Sequence, residues 1–309
     1  MTSTVSDLGR PLAATQLLAA WELARSKGLN NRAAAEMLKV SEAQLIASGC
    51  GRFVTRLHSE APSVLRKLPL LGEIKAVVRN PAAVIERAGT VQDVAATGGG
   101  EMLIRAEHFE VAGKAAQWEK GFALREEAAR GFKLSLQFFT ADGTSAAKFF
   151  LRPAGDVHAF ADLVAAFASS DQSEQESVAL TCAKLSLPLQ ASAPVAAGAL
   201  LGFLQAAARL AHPLTFVTRN AAASLSTSKA IERIKLSDRG EWVNVLDDGM
   251  DIHLHQPAIR YVRPVADPAG QGGWLHWLSE GQAVALSTRC GEGWAELLAS
   301  TATAALAEK

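Results

Sequence analysis

The chain has 309 residues, 49% of them hydrophobic and 20% charged, which is the make-up of a globular protein and excludes a disordered or fibrous one. Lys plus Arg and Asp plus Glu both number 31, so the molecule as a whole exerts no electrostatic pull on nucleic acid or an anionic membrane. Cys50, Cys182 and Cys290 are far apart and odd in number, which excludes a disulfide framework or a zinc motif and fits a reducing compartment.

The length suits two units of about 150 residues. The most apolar run, from Ala191 to Ala211, is interrupted by Pro194, Gly198, Gly202, Gln205 and Arg209, and the N-terminus lacks a basic-then-apolar signal. A cytoplasmic protein with no membrane insertion is expected.

In chain order, Ala14 to Gly28 reads as a helix stopping at the glycine, and Asn30 to Ala47 as short helices with Ser41 as a cap. The pattern from Ala33 to Ile46 resembles a helix-turn-helix core, and seven Lys or Arg stand against three Glu between Arg10 and Arg56. Only Gln44 is an obvious base-reading side chain, so a helical pair packed on a sheet is the preferred reading and nucleic acid is not the expected partner.

Strand signals begin near Val64 and run through Glu73 to Val78. Pro81 to Ala88 reads as a short helix, and Gly98-Gly99-Gly100 as a turn with no following helix to cradle a phosphate. Phe132 to Phe139 alternates as a strand with one buried face, turning at Ala141-Asp142-Gly143 into a partner from Ala146 to Leu151. His158 to Phe167 is an amphipathic helix with Asp156 at its start. Residues 169–177, SSDQSEQES, form a polar linker; Leu200 to Leu210 is helical and Leu214 to Val217 starts a strand.

The two halves echo each other. Val78-Arg79-Asn80 recurs as Thr218-Arg219-Asn220, Gly100-Glu101 as Gly240-Glu241, and Asp142-Gly143 as Glu280-Gly281, at offsets of 140, 140 and 138. A nearly constant offset across unrelated motifs predicts an internal duplication. The expected fold is therefore α+β, a tandem structural duplication in which each half is a helical segment plus a large antiparallel sheet. The repeats would span 1–168 and 178–309. With a one-residue slip, Ala112 of the first half corresponds to His253 of the second.

The densest histidine pair lies in Met250 to His255. Strand geometry puts Met250, Ile252 and Leu254 on one face and Asp251, His253 and His255 on the other, a two-histidine, one-carboxylate set that could ligate a metal or equally be a solvated polar face. A haem asks for an imidazole, aromatic walls and cations for its propionates. His253, His255 or His276, with Trp242, Trp274, Trp277, Tyr261, Arg260 and Arg263, could supply them. His58 and His212 read as surface or loop residues, and His108, between Glu107 and Glu110, as a paired surface histidine.

The strings AAEMLKVSEAQL, GEIKAVVRNPAAVIERAG, WEKGFALRE, SLQFFTADGTSAAKFFLR and EWVNVLDDGMDIHLH, in this order and with this duplication, resemble the HemS/ChuS-type haemin-degrading and haem-trafficking proteins. The resemblance implies a cytoplasmic protein that binds haem between two similar halves and passes it on or opens the ring, with a haem importer or a haem-degrading enzyme as protein partner. The family's iron-binding histidine lies in a D-x-H-x-F-F helix before the second repeat, whereas between Ser177 and Leu214 this chain has only His212. Asp156-Val157-His158-Ala159-Phe160 is locally similar but falls at the end of the first repeat.

The family's opposing arginine stands where this chain has Ala112, six residues before Trp118, and its second-repeat basic pair stands at Ala266-Asp267-Pro268. Of the ligands in the second-repeat string, His253 is retained. Two readings follow: a haem carrier that uses His253 or His255 for iron, with His276, His158 and Arg260 as further candidates, or a module that keeps the fold without haem and contacts DNA or protein through its N-terminal helices. No nucleophile, Walker or HExxH motif points to another chemistry.

Overall fold

A computed structural model describes residues 13–58, 60–128, 131–179, 193–194, 198–267, 272–281, 283–291, 293–297 and 299. The calls for Cys182 and Pro268 lie outside these residues, as does most of the run from Ser177 to Gly198.

The N-terminal layer holds α1 (Ala14–Ser26), α2 (Asn31–Leu38) and α3 (Glu42–Ala47). Asn30 caps α2, and Ser41 with Gln44 forms a capping box on α3, so polar residues at the joints set the helix starts. There follow β1 (Val54–Leu57), α4 (Ala61–Leu65), β2 (Gly72–Arg79), β3 (Ala83–Ala96), β4 (Glu101–Ala106), β5 (Glu110–Lys114), β6 (Lys120–Ala128), β7 (Gly131–Phe139) and β8 (Ser145–Gly155). The first half closes with α5 (Val157–Phe167), its first turn bonded to the Asp156 carboxylate.

The second half runs β9 (Ala193–Pro194), α6 (Ala199–Arg209), β10 (Pro213–Arg219), β11 (Ala223–Ala230), β12 (Ile234–Leu236) and β13 (Trp242–Asp247). It ends with β14 (Met250–His255), β15 (Tyr261–Ala266), β16 (Gly273–Leu278) and β17 (Val284–Cys290).

Two antiparallel sheets result, in the orders β1-β6-β7-β8-β2-β3-β14-β13-β12 and β9-β15-β16-β17-β10-β11-β5-β4-β3, with the long strand β3 running through both. The same pairing scheme read twice is the duplication made visible. The halves do not lie side by side as separate units, however. Each lends strands to the other's sheet, β14 pairing with β3 and β5 with β11, and one continuous apolar core spans both halves.

At the centre sit Asn80 and Asn220. The Asn80 amide donates to Thr218 Oγ1, the Arg219 carbonyl and the Ala285 carbonyl at 2.7–3.1 Å. Asn220 reciprocates with the Arg79, Ser145 and Ala146 carbonyls at 2.9–3.2 Å. Each Oδ1 also accepts two N–H groups of its own turn.

That turn explains one difference from the sequence reading. Residues 81–88, expected as a helix, enter β3, because Asn80 Oδ1 accepts the Ala82 and Ala83 N–H as a helix cap would, and Val84 and Ile85 then extend between two neighbouring strands. A second difference is Val64, expected to begin a strand, which lies in α4 with the true strand starting at Gly72. A third is β7, which has both faces buried from Leu134 to Phe139, not one. Leu134, Leu136 and Phe138 join the main core, while Phe139 packs with Phe122 and Leu124 under α1–α3.

Residues 169–177 form a strap on the first half. The Arg56 guanidinium bonds the Ser173 and Gln175 carbonyls and pairs with Glu176, which Lys120 also meets at 2.9 Å. Among the described residues no helix is long and apolar enough to cross a membrane.

Candidate functional site

The main core covers one face of each sheet, and the candidate residues divide between the two opposite faces, the first of which is partly covered by α1–α3. On β14, Met250, Ile252 and Leu254 are buried while Asp251, His253 and His255 face out, as period-two geometry requires. His253 lies opposite Asn244 on β13 and Val84 on β3. Its Nδ1 is 2.7 Å from Asn244 Oδ1, and because that oxygen can only accept, Nδ1 is the donor. His255 packs on Trp242 with ring centroids 4.8 Å apart and the planes tilted by 34°. The two histidines thus go to different neighbours, and the described residues contain no group of three His, Cys, Asp or Glu that could hold a metal ion.

The other outward face belongs to the second sheet. Across it, cross-strand pairs align Ala112, Ser224 and Arg219 in one row and Ser287, His276 and Arg263 in another. His276 Nδ1 is 2.8 Å from Ser287 Oγ, leaving Nε2 as the ring nitrogen for another ligand. The imidazole lies parallel to the Trp274 ring, interplanar angle 4° and centroids 6.1 Å apart. Burial, then the positive fields of Arg219 and Arg263, depress the His276 pKa, so the ring is neutral and ligand-competent at pH 7. The Arg219 Nε is buried with no hydrogen-bond partner among the described residues.

His158 and Arg260 join neither face. His158 is exposed in the first turn of α5, and Arg260 is exposed at the start of β15, where its backbone N–H meets the Leu278 carbonyl. Trp277, expected among the aromatic walls, is instead core: it is 1% exposed, packs on Phe203 at 5.4 Å and donates to Thr288 Oγ1. His212 lies in the loop between α6 and β10, as expected, half-buried and 3.8 Å from Glu296.

The register makes the equivalence of Ala112 and His253 concrete, since Ala223 pairs with Gly113 and Ser224 with Ala112, as Ala83 pairs with Leu254 and Val84 with His253. Arg79 and Arg219 stand at equivalent places, and both have a buried Nε without a partner among the described residues. Sequence reasoning used these two arginines only as repeat markers. Their recurrence beside Asn80 and Asn220 was the signal that could have marked them as site residues.

The fold and the first outward face define a tandem α+β protein built on a domain of known kind. Residues 39–167, within the first copy of the duplicated unit, match the family model described as the haemin-degrading HemS/ChuX domain. The hemin transport protein HmuS of Yersinia pestis is 31% identical over 144 residues, 47% of this chain and 42% of HmuS. The hemin transport protein HemS of Yersinia enterocolitica is 28% identical over 165 residues, 53% of this chain and 48% of HemS.

The chain thus spans under half the length of the curated relatives it matches. Over 93% of the chain the fold is similar to that of holo-PhuS, a heme-binding protein from Pseudomonas aeruginosa, with TM-score 0.84, 24% identity and 98% of that chain covered. The heme-degrading enzyme ChuS of Escherichia coli O157:H7 superposes with TM-score 0.81 at 20% identity, over 93% of this chain and 99% of that one.

Proposed function

We propose that this protein binds haem and passes it on during haem uptake in the cytoplasm. The observation that carries the reading is His276, a neutral imidazole fixed at Nδ1 by Ser287, parallel to Trp274, with Arg219 and Arg263 beside it on one sheet face. A haem needs an imidazole nitrogen for iron, a flat apolar wall and cations for two propionates. His276 Nε2 would supply the first and the guanidiniums the third, with Trp274 alongside the imidazole. The unpartnered Nε of Arg219 fits that role, because a buried donor without an acceptor costs about 1–3 kcal/mol until a ligand satisfies it.

His253 and His255 are the alternative iron ligands, on the other sheet face. The names of the hemin transport relatives and the HemS/ChuX domain match support the carrier role. A haem importer and a haem-degrading enzyme are the partners that such a role requires.

The test is a haemin titration followed at the Soret band. A saturable shift near one equivalent, weakened at least tenfold by His276→Ala and unaffected by His253→Ala, is expected. The reverse pattern moves the iron to the first face. No shift beyond that of free haemin overturns the proposal and leaves a module that keeps the fold without haem.

A further inference from the structure

Between the N-terminal helices and the outward face of the first sheet lies a cleft of about 1020 Å³, at the upper end of the roughly 300–1,000 Å³ common for small-molecule sites. Arg79 is on its floor, at the end of β2, and Arg32 is on its helical wall, in α2. The carboxylates nearest Arg79 are committed elsewhere: Glu42 pairs with Lys148, Glu86 with Lys75 and Glu36 with Arg32. Arg79 itself makes no ion pair among the described residues, and its Nε is buried without an acceptor. Desolvation lowers its pKa and the field of Arg32 adds to the effect, while the fields of Glu42, Glu36 and Glu86 oppose it, so Arg79 sits among charges that are paired with other groups.

A half-buried arginine with neither counter-ion nor acceptor is costly in the empty protein, because the desolvation penalty goes unrecovered. The Arg32–Glu36 pair offers little competition: it is an exposed i,i+4 pair worth about 0.3–0.5 kcal/mol. A planar guanidinium matches an oxyanion in a two-point, charge-assisted bond. Further along the cleft, Lys133 sits 4.4 Å over the Phe150 ring and the Arg125 guanidinium 3.2 Å over that of Phe132, where Glu126 and Glu127 also join the lining.

We propose that this cleft is a second binding site, for a small-molecule anion whose carboxylate or phosphate group is held between Arg79 and Arg32. The site is independent of iron ligation by His276, since none of its groups lies on the face that carries that histidine, although Arg79 shares a cross-strand row with Val84 and His253 on the first sheet.

The experiment is isothermal titration of the whole protein at low ionic strength with two probes, pyrophosphate for the phosphate source and citrate for the carboxylate source. Saturable one-to-one binding of at least one probe, weakened tenfold or more by Arg79→Gln and by Arg32→Gln, is expected; the probe that binds identifies the source, and binding of both identifies the shared oxyanion. Ligand-free Arg79→Gln should melt no lower than wild type, because it removes an uncompensated charge, and should bind haemin as wild type does. Absence of saturable binding for both probes, or wild-type affinity in either variant, overturns the proposal. Loss of haemin binding alone would sink the haem reading and leave this site standing.

Discussion

Replacing Asn220 by Ala tests the claim that the two halves are one interlocked body. Its amide holds two protons against the Arg79, Ser145 and Ala146 carbonyls of the first half, and its Oδ1 accepts from Ala222 and Ala223. That is four bonds' worth of donor and acceptor capacity, at about 1 kcal/mol net each, so the loss is about 3–4 kcal/mol once water recovers part of it. For 309 residues an unfolding entropy of about 0.65 kcal/mol/K gives about 1.5 °C per kcal/mol, and so a drop in Tm of about 5–6 °C.

Asn220→Asp separates the contributions. It keeps the acceptors of the turn but aims a charge at three carbonyls, and should cost at least as much as Ala. Asn80→Ala should cost the same as Asn220→Ala, since it breaks the matching set. Urea unfolding by tryptophan fluorescence and far-UV circular dichroism is the assay, with a single coincident transition expected. A loss under about 1 kcal/mol, a harmless Asp variant, or two separate transitions would refute the reasoning.

The depressed pKa of His276 sets a pH window: the unfolded chain takes the proton first, so stability is highest above the unperturbed value of 6.5 and declines as pH falls through the folded value. Haem ligation through His276 should accordingly survive acidification to below pH 6.5, and a Soret change centred at or above that value would contradict the assignment. Gly113→Ala should destabilise by about 1–3 kcal/mol or more in thermal melts, because a Cβ there would sit 2.5 Å from the Ala222 carbonyl and 2.9 Å from Trp118 at the β5–β11 seam. A neutral outcome would mean that the seam opens freely. Arg56→Ala should release the strap at 169–177, seen as faster limited proteolysis there with little change in Tm; an unchanged cleavage rate would show that the Glu176 pair does not hold it.

Much of this protein was written along the chain. The Ser41 capping box, the Asp156 cap, the alternation of β14 and the 140-residue offset between Asn80 and Asn220 are local or periodic signals, each fixed by residues within a few positions or by simple repetition. What the chain could not disclose was which strand meets which across the duplication. The exchange that sets β14 against β3 and β5 against β11 depends on pairing between residues more than a hundred positions apart, and a strand edge satisfies its hydrogen bonds equally well with any matching partner.

That exchange decided where the histidines went. Composition offered His253, His255 and His276 as one set, but side-chain direction follows sheet membership, so the first two face the sheet that carries Arg79 and the third shares a face with Arg219. The same logic withdrew Trp277 into the core and turned residues 81–88 from helix to strand, since burial and lateral pairing override local preference wherever an extended segment lies between two others. The sequence by itself determined the unit and its repetition; the packing of one copy through the other decided the faces, and with them which charged and aromatic groups stand together.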